Sequence, residues 1–173
     1  MGDWLLEGKI KKIMTPTIMH SGSRILRDRI LPDFEKIQFH LTECKHYESQ
    51  FGNYHIFTSL RHPARIWESF KRRAAKRTSP RYPYNQETYD WQWREMIDRI
   101  SKLDKVHYLT VDGDDDLRNK QIDEFEDVLK VKLSRDFTVE PNPNFCGTWD
   151  TKVADLDPVN QEYVDFYYSI ADR

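Results

Sequence analysis

Residues 54–70 read YHIFTSLRHPARIWESF. The first seven, Tyr54 to Leu60, are rich in β-branched and aromatic residues and predict a strand. Arg61 stands at its carboxyl end. Pro63 then falls where the first turn of a helix tolerates a residue with no N–H, and Ala64 to Arg77 carries a helical pattern. A strand that runs directly into a helix is the unit of a parallel sheet.

Working outward, the same alternation recurs. Ile10 to Met19 (IKKIMTPTIM) predicts a strand running into a loop, Ser21-Gly22-Ser23 punctuates it, and Arg24 to Leu31 predicts a short helix stopped by Pro32. Lys36 to Leu41 alternates like a strand. Residues 78–85 (TSPRYPYN) break the chain before a long amphipathic helix, Gln86 to Leu103. Val106 to Val111 predicts a further strand, Asp112 to Asp116 a turn, and a helix follows to about Lys130. Residues 134–156 look irregular, and Pro158 opens a last helix through Ile170. Strands alternating with helices predict one α/β domain over residues 1–173: a three-layer α/β/α arrangement around a central, mainly parallel sheet.

Composition sets bounds. A chain of 173 residues can bury a core without staples. Its aromatic fraction of 13% argues against disorder. The net charge of −2 selects no partner through the whole-molecule field, although residues 61–81 are strongly basic and 112–127 strongly acidic. Cys44 and Cys146 form no CxxC pair, no apolar run reaches membrane-span length, and the first residues lack a signal-peptide pattern. A cytoplasmic protein without a membrane span is the resulting expectation. The six histidines lack metal-binding spacing, so no metal is expected. Asp112-Gly-Asp-Asp-Asp116 lacks the spacing of a calcium loop and reads as a solvated turn at a helix start.

In parallel sheets, ligands bind beyond the carboxyl ends of the strands. Two loops lie there. The first, Met19-His20-Ser21-Gly22-Ser23-Arg24, can wrap backbone N–H groups around a phosphate. With one glycine and no lysine it is not a Walker loop, and an ordinary turn with Ser23 capping the helix is the plain alternative. In the second loop, Arg61 offers a planar fork of donors, and Ser69, eight residues on, offers a hydroxyl from the helix flank. A surface arginine and a solvated serine are the plain alternative there.

Arg-His-Pro followed by Ser69-Phe70 resembles the 3′-phosphate-binding element of sulfotransferases, in which a strand leads into Arg-x-Pro and then Ser and an aromatic residue at this spacing. His20-Ser21-Gly22-Ser23-Arg24-Ile25-Leu26 is similar to that family's 5′-phosphosulfate loop, Lys-Ser-Gly-Thr-Thr-x-Leu. Val106 to Leu133 and the Leu-Asp-Pro stretch from Leu156 to Ile170 are similar to later elements of the family, in its order. Two positions depart from the pattern: His20 stands for the lysine and Arg24 for the second threonine.

The resemblance implies a P-loop NTPase-like sulfotransferase fold. It also implies the cofactor 3′-phosphoadenosine 5′-phosphosulfate (PAPS), released as 3′,5′-adenosine bisphosphate, with sulfuryl transfer to a hydroxyl or amine of a small-molecule or glycan acceptor. Backbone N–H groups of Ser21, Gly22, Ser23 and Arg24 would hold the 5′-phosphate, with Arg61 and Ser69 on the 3′-phosphate. His20 would donate to the leaving oxygen, supported by Arg24. For the base, Glu43 or His46 matches the catalytic glutamate region of the glycan-modifying branch, with His40 third. Lys71 to Arg77 would enrich the field around a polyanion, although such a run is more often a solvated helix face, and nucleic acid is not expected as a partner. Tyr82, Tyr84, Tyr89, Trp91 and Trp93 divide between a stacking platform and core packing. Two other readings remain open: a nucleotide kinase or NTPase with Asp112 as its magnesium ligand, and a non-catalytic anion- or nucleotide-binding module.

Overall fold

The structure is a computed structural model that describes residues 5–6, 9–76, 83–138 and 151–173. Arg77, Tyr82 and Cys146 lie outside the described residues. A short antiparallel pair, β1 (Leu5–Leu6) and β2 (Lys9–Ile10), comes first in the chain. The main sheet holds β3 (Lys12–Thr17), β4 (Glu35–His40), β5 (Ile56–Leu60) and β6 (Val106–Thr110) in the order β4-β3-β5-β6, every neighbouring pair parallel.

Neighbouring strand residues point to opposite faces, and the sheet uses both. Ile13, Phe57 and Leu109 face one side, where they meet Leu26 and Ile30 of a helical segment (Ile25–Ile30) and Ile122, Phe125 and Leu129 of a later helix. Met14, Ile56 and Tyr108 face the other side, against Ile66 and Phe70, Tyr89 and Trp93, and Tyr163 and Tyr167 from three helices. The architecture is therefore α/β, a parallel sheet with helices on both faces.

Those helices are α1 (Cys44–Tyr47), α2 (Pro63–Lys76), α3 (Gln86–Asp98), α4 (Asp115–Leu129) and α5 (Gln161–Ala171). The starts of α3, α4 and α5 are set by side chains that satisfy first-turn donors. Asn85 accepts from the Thr88 N–H at 2.8 Å, Asp114 from Leu117 at 2.8 Å, and Asn160 from Glu162 at 2.9 Å. The Asn160 cap moves the start of α5 three residues beyond the Pro158 expected from sequence. At the far end of α3, Arg99 leaves helical geometry (φ −122°, ψ −66°) and a short 3-10 turn, Ile100–Lys102, completes the segment.

Two local differences from the sequence reading matter. The stretch expected to be a regular helix after the first loop is wound wider than an α-helix: the Leu31 N–H donates to the Leu26 carbonyl, five residues back, at 2.9 Å. The link from β4 to β5 is also helical, from Leu41 through Asn53. A parallel pair needs a crossover on one face of the sheet, and Leu41, Cys44 and Phe51 recur at helical spacing along this link with their side chains buried. Cys44 is a buried thiol, its pKa pushed up to about 12 by burial, with Glu95 adding to the effect.

Candidate functional site

The strand order reverses direction between β3 and β5, the point where a parallel sheet opens a crevice at its carboxyl edge. The pairing there is short: Met14 with Ile56 is the registered pair. Pro16, two residues on and facing the same way, has no N–H to continue the ladder. Side-chain hydroxyls take over beyond it. Thr58 Oγ1 donates to the Pro16 carbonyl at 2.6 Å, and the Ser21 and Ser59 hydroxyls share a hydrogen bond at 2.8 Å.

The first loop leaves β3 at this opening. Its backbone turns through two left-handed residues, His20 (φ 66°) and Gly22 (φ 86°). Alternation of this kind gathers N–H groups on one side of the chain. The N–H groups of Gly22 and Ser23, and the Ser23 hydroxyl, have no hydrogen-bond acceptor or partner among the described residues. Ser21 differs from expectation: its N–H is committed to the Ile18 carbonyl at 3.2 Å and its side chain is buried on Ser59. The helix entry is closed by the Gly22 carbonyl, which accepts from Ile25 at 3.0 Å and Leu26 at 3.4 Å. Arg24 is exposed on the rim.

Sequence reasoning missed the residue that anchors this loop. Gln92, fully buried on α3, accepts the Met19 N–H with Oε1 at 2.8 Å and donates to the Thr88 carbonyl at 3.3 Å. A polar residue on the inner face of an amphipathic helix was the available signal. Gln92→Leu leaves the Met19 N–H buried without an acceptor, and urea titration should record a loss of about 1–3 kcal/mol.

The second loop meets the first. Arg61 Nη1 donates to the His20 carbonyl at 3.3 Å and to Ser69 Oγ at 3.2 Å, so one guanidinium ties the end of β5, the flank of α2 and the His20 turn. Arg61 is only 3% exposed. Burial pushes its pKa down to about 10, with Asp112 opposing the shift, so it keeps its charge at neutral pH. Arg61 and Ser69 thus come together with His20, Ser21, Gly22 and Ser23 at one edge of the sheet.

Asp112, at the end of β6, organises the same edge. Its Oδ2 accepts from the His62 N–H at 2.9 Å and from Arg65 Nη1 at 2.8 Å, and its Oδ1 accepts from the Tyr167 hydroxyl at 2.8 Å. Arg65 also donates to the Thr151 carbonyl, at 3.3 and 3.2 Å. The carboxylate therefore pins the Arg-His-Pro turn, α2 and α5 together.

The His20 ring sits edge-on between Phe70 at 5.6 Å and Tyr84 at 5.3 Å, with the Arg73 guanidinium 5.9 Å from the Tyr84 ring centre. Burial, then the charges of Arg61, Arg73 and His40, lower its pKa to about 4. At neutral pH His20 is a neutral imidazole. It presents one N–H donor rather than the charge a lysine would bring.

Of the expected bases, Glu43 lies half-buried in the turn that follows β4, beside β3, and its Oε2 accepts the His40 N–H at 3.1 Å. His46 is exposed on α1, and His40 is close enough to act electrostatically on His20. Of the aromatic residues after the chain break, Tyr89 and Trp93 are core and Trp91 is exposed, so Tyr84 is the described one that reaches the loops. Within the basic run, Lys71 pairs with Glu68 and Asp157, and Arg72 with Glu68, while Arg73 stands over the Tyr84 ring and acts on His20.

Among the described residues no group of three or more His, Cys, Asp or Glu side chains is gathered as a metal set, and no helix is long and apolar enough to cross a membrane. No family model, no curated protein and no solved structure matches the chain.

Proposed function

We propose that the protein is a sulfotransferase of P-loop-like fold that binds PAPS at this edge and transfers its sulfuryl group to a hydroxyl or amine. The observation that carries the reading is the Arg61 bridge from Ser69 to the His20 turn, which joins the two loops whose sequences resemble the family's phosphate elements. The donor set suits a polyanion: a charged buried guanidinium, a left-handed turn whose Gly22 and Ser23 N–H groups have no acceptor among the described residues, and the nearby arginines Arg24 and Arg73.

Bound there, PAPS supplies a sulfuryl group whose sulfur–oxygen bond to the 5′-phosphate breaks as the acceptor oxygen or nitrogen bonds to sulfur. Arg61 and Ser69 hold the 3′-phosphate. The N–H groups of Gly22 and Ser23, with the Ser23 hydroxyl, hold the 5′-phosphate. The imidazole N–H of His20 donates toward the leaving oxygen, where charge develops. Glu43, at the neighbouring strand end, takes the acceptor's proton, with His40 next to it and His46 further out.

A second reading has its own support. A neutral His20 lacks the lysine's charge, which favours a module of the same fold that binds the nucleotide without turnover. The kinase reading is weaker, because both oxygens of Asp112 already accept hydrogen bonds from the protein and magnesium needs open carboxylate oxygens.

Calorimetry with 3′,5′-adenosine bisphosphate against ATP plus magnesium tests the ligand, and turnover of PAPS across an acceptor panel tests the chemistry. Arg61→Ala should weaken bisphosphate binding by about 1.5–3 kcal/mol, the scale of a hydrogen bond to a charged group. Unchanged binding in that variant, or preference for magnesium ATP, ends the proposal. Turnover gained by His20→Lys in an inactive parent selects the binding-module reading for the natural chain.

A further inference from the structure

Resting on the anion-binding reading of this edge, we infer that the site takes up its anion together with a proton, and that the proton is seated on His20. His20 belongs to the loop that turns around Gly22, and its ring is wedged between Phe70 on α2 and Tyr84 ahead of α3. The titratable and charged groups facing it come from every side. Arg61 at the end of β5 bonds to its carbonyl, Arg73 projects from α2 across the Tyr84 phenol, and His40 ends β4. All three of these groups are basic.

That surrounding keeps His20 neutral in the absence of a ligand, with a pKa of about 4. An oxyanion bound against the Gly22–Ser23 N–H groups, two and three residues along the same turn, opposes this basic surround, because a nearby negative charge favours the protonated ring. The bound-state pKa then lies above the unbound one. Linkage fixes the sign. Anion affinity is lowest at alkaline pH, rises as pH falls through the bound-state pKa, and levels off below about pH 4, where the unbound ring is also protonated. The gain is at most tenfold per pH unit for one proton. The same coupling reconciles His20 with its role in transfer. Anion binding shifts the ring toward its positive form, and the charged fraction, which grows as pH falls, neutralises a leaving phosphate oxygen as a lysine would.

The test uses inorganic sulfate as the probe, because it does not titrate between pH 4 and 8, alongside 3′,5′-adenosine bisphosphate. Long-range proton–nitrogen spectra follow the His20 ring in chloride, in saturating sulfate and in saturating bisphosphate. Amide shifts of Ser21, Gly22 and Ser23 report occupancy. The expected result is a His20 midpoint at least one pH unit higher in sulfate than in chloride, with sulfate affinity rising up to tenfold per unit as pH falls. His20→Asn, which tolerates the left-handed backbone, should retain the sulfate-induced amide shifts but lose that pH dependence. A His20 titration identical in chloride and sulfate, while the loop amides respond to sulfate, overturns the inference and leaves the anion site standing. A raised midpoint in sulfate without bisphosphate binding supports the inference and overturns the nucleotide reading. Loop amides and His20 that respond to neither anion overturn both.

Discussion

Gly22→Ala will lower the stability of the protein by about 3 kcal/mol and abolish anion binding at the first loop. Two costs combine. An alanine held at φ 86° in the left-handed region costs about 1–2 kcal/mol. Its Cβ would also stand 2.7 Å from Val111 Cγ2 and 3.1 Å from Cγ1, side-chain atoms held in the core at the end of β6, and overpacking of this kind costs about 1–3 kcal/mol. The two separate experimentally. Val111→Ala as the background removes the crowding and leaves the backbone strain, so in urea unfolding Gly22→Ala should cost less measured against Val111→Ala than against the natural chain. No cost of Gly22→Ala on the Val111→Ala background shows that the strain contributes nothing, and no loss in the single variant shows that the loop is not packed as described.

Asp112→Ala carries the second large effect, about 3–5 kcal/mol, the scale of breaking a buried ion pair by removing one partner. The carboxylate is 2% exposed and Arg65 17%, so the stranded guanidinium cannot simply turn to solvent. The Tyr167 hydroxyl and the His62 N–H lose their acceptor in the same step. For a chain of this size the melting temperature should fall by about 6–20 °C. Because His62 follows Arg61, the variant should also weaken bisphosphate binding. Asp112→Leu combined with Arg65→Met removes both charges and should cost less than Asp112→Ala alone. Equal losses would mean that the pair, once broken, leaves no buried charge behind.

How far this molecule could be read from its sequence depended on how local each cause is. The parallel α/β architecture was legible because β5 and α2 adjoin in the chain and the Arg61-His62-Pro63 junction punctuates them. The first loop was legible for the same reason, with Gly22 flanked by serines at the end of an apolar run. The helical link at 41–53 was harder, since Leu41, Cys44 and Phe51 are thinly spaced among polar residues and the need for a crossover follows only once β4 is known to lie at the sheet's edge. The wide winding from Ile25 to Ile30, closed by the Leu31 N–H on the Leu26 carbonyl, is announced by no residue type. Within the site, Arg61 and Ser69 could be paired by their separation of eight. Gln92 and Tyr167 could not, because they reach Met19 and Asp112 across 73 and 55 residues. Charge was the least legible property. His20 was a plausible donor by type, but its low pKa comes from burial and from Arg61, Arg73 and His40, which converge on it only in three dimensions.

Pro16 has a mechanical consequence. The sheet consists of two ribbons, β4–β3 and β5–β6, each paired over several residues and joined to the other at Met14 and Ile56, by two hydroxyl contacts and by Arg61 on the His20 carbonyl. Breathing of the protein should therefore concentrate along that join, with amide hydrogens deep in each ribbon exchanging slowly and those flanking the join exchanging first. The two loops ride on opposite ribbons and Arg61 clips them together, so small rigid rotations about Met14 would load or relax that clip while the cores on either face stay intact.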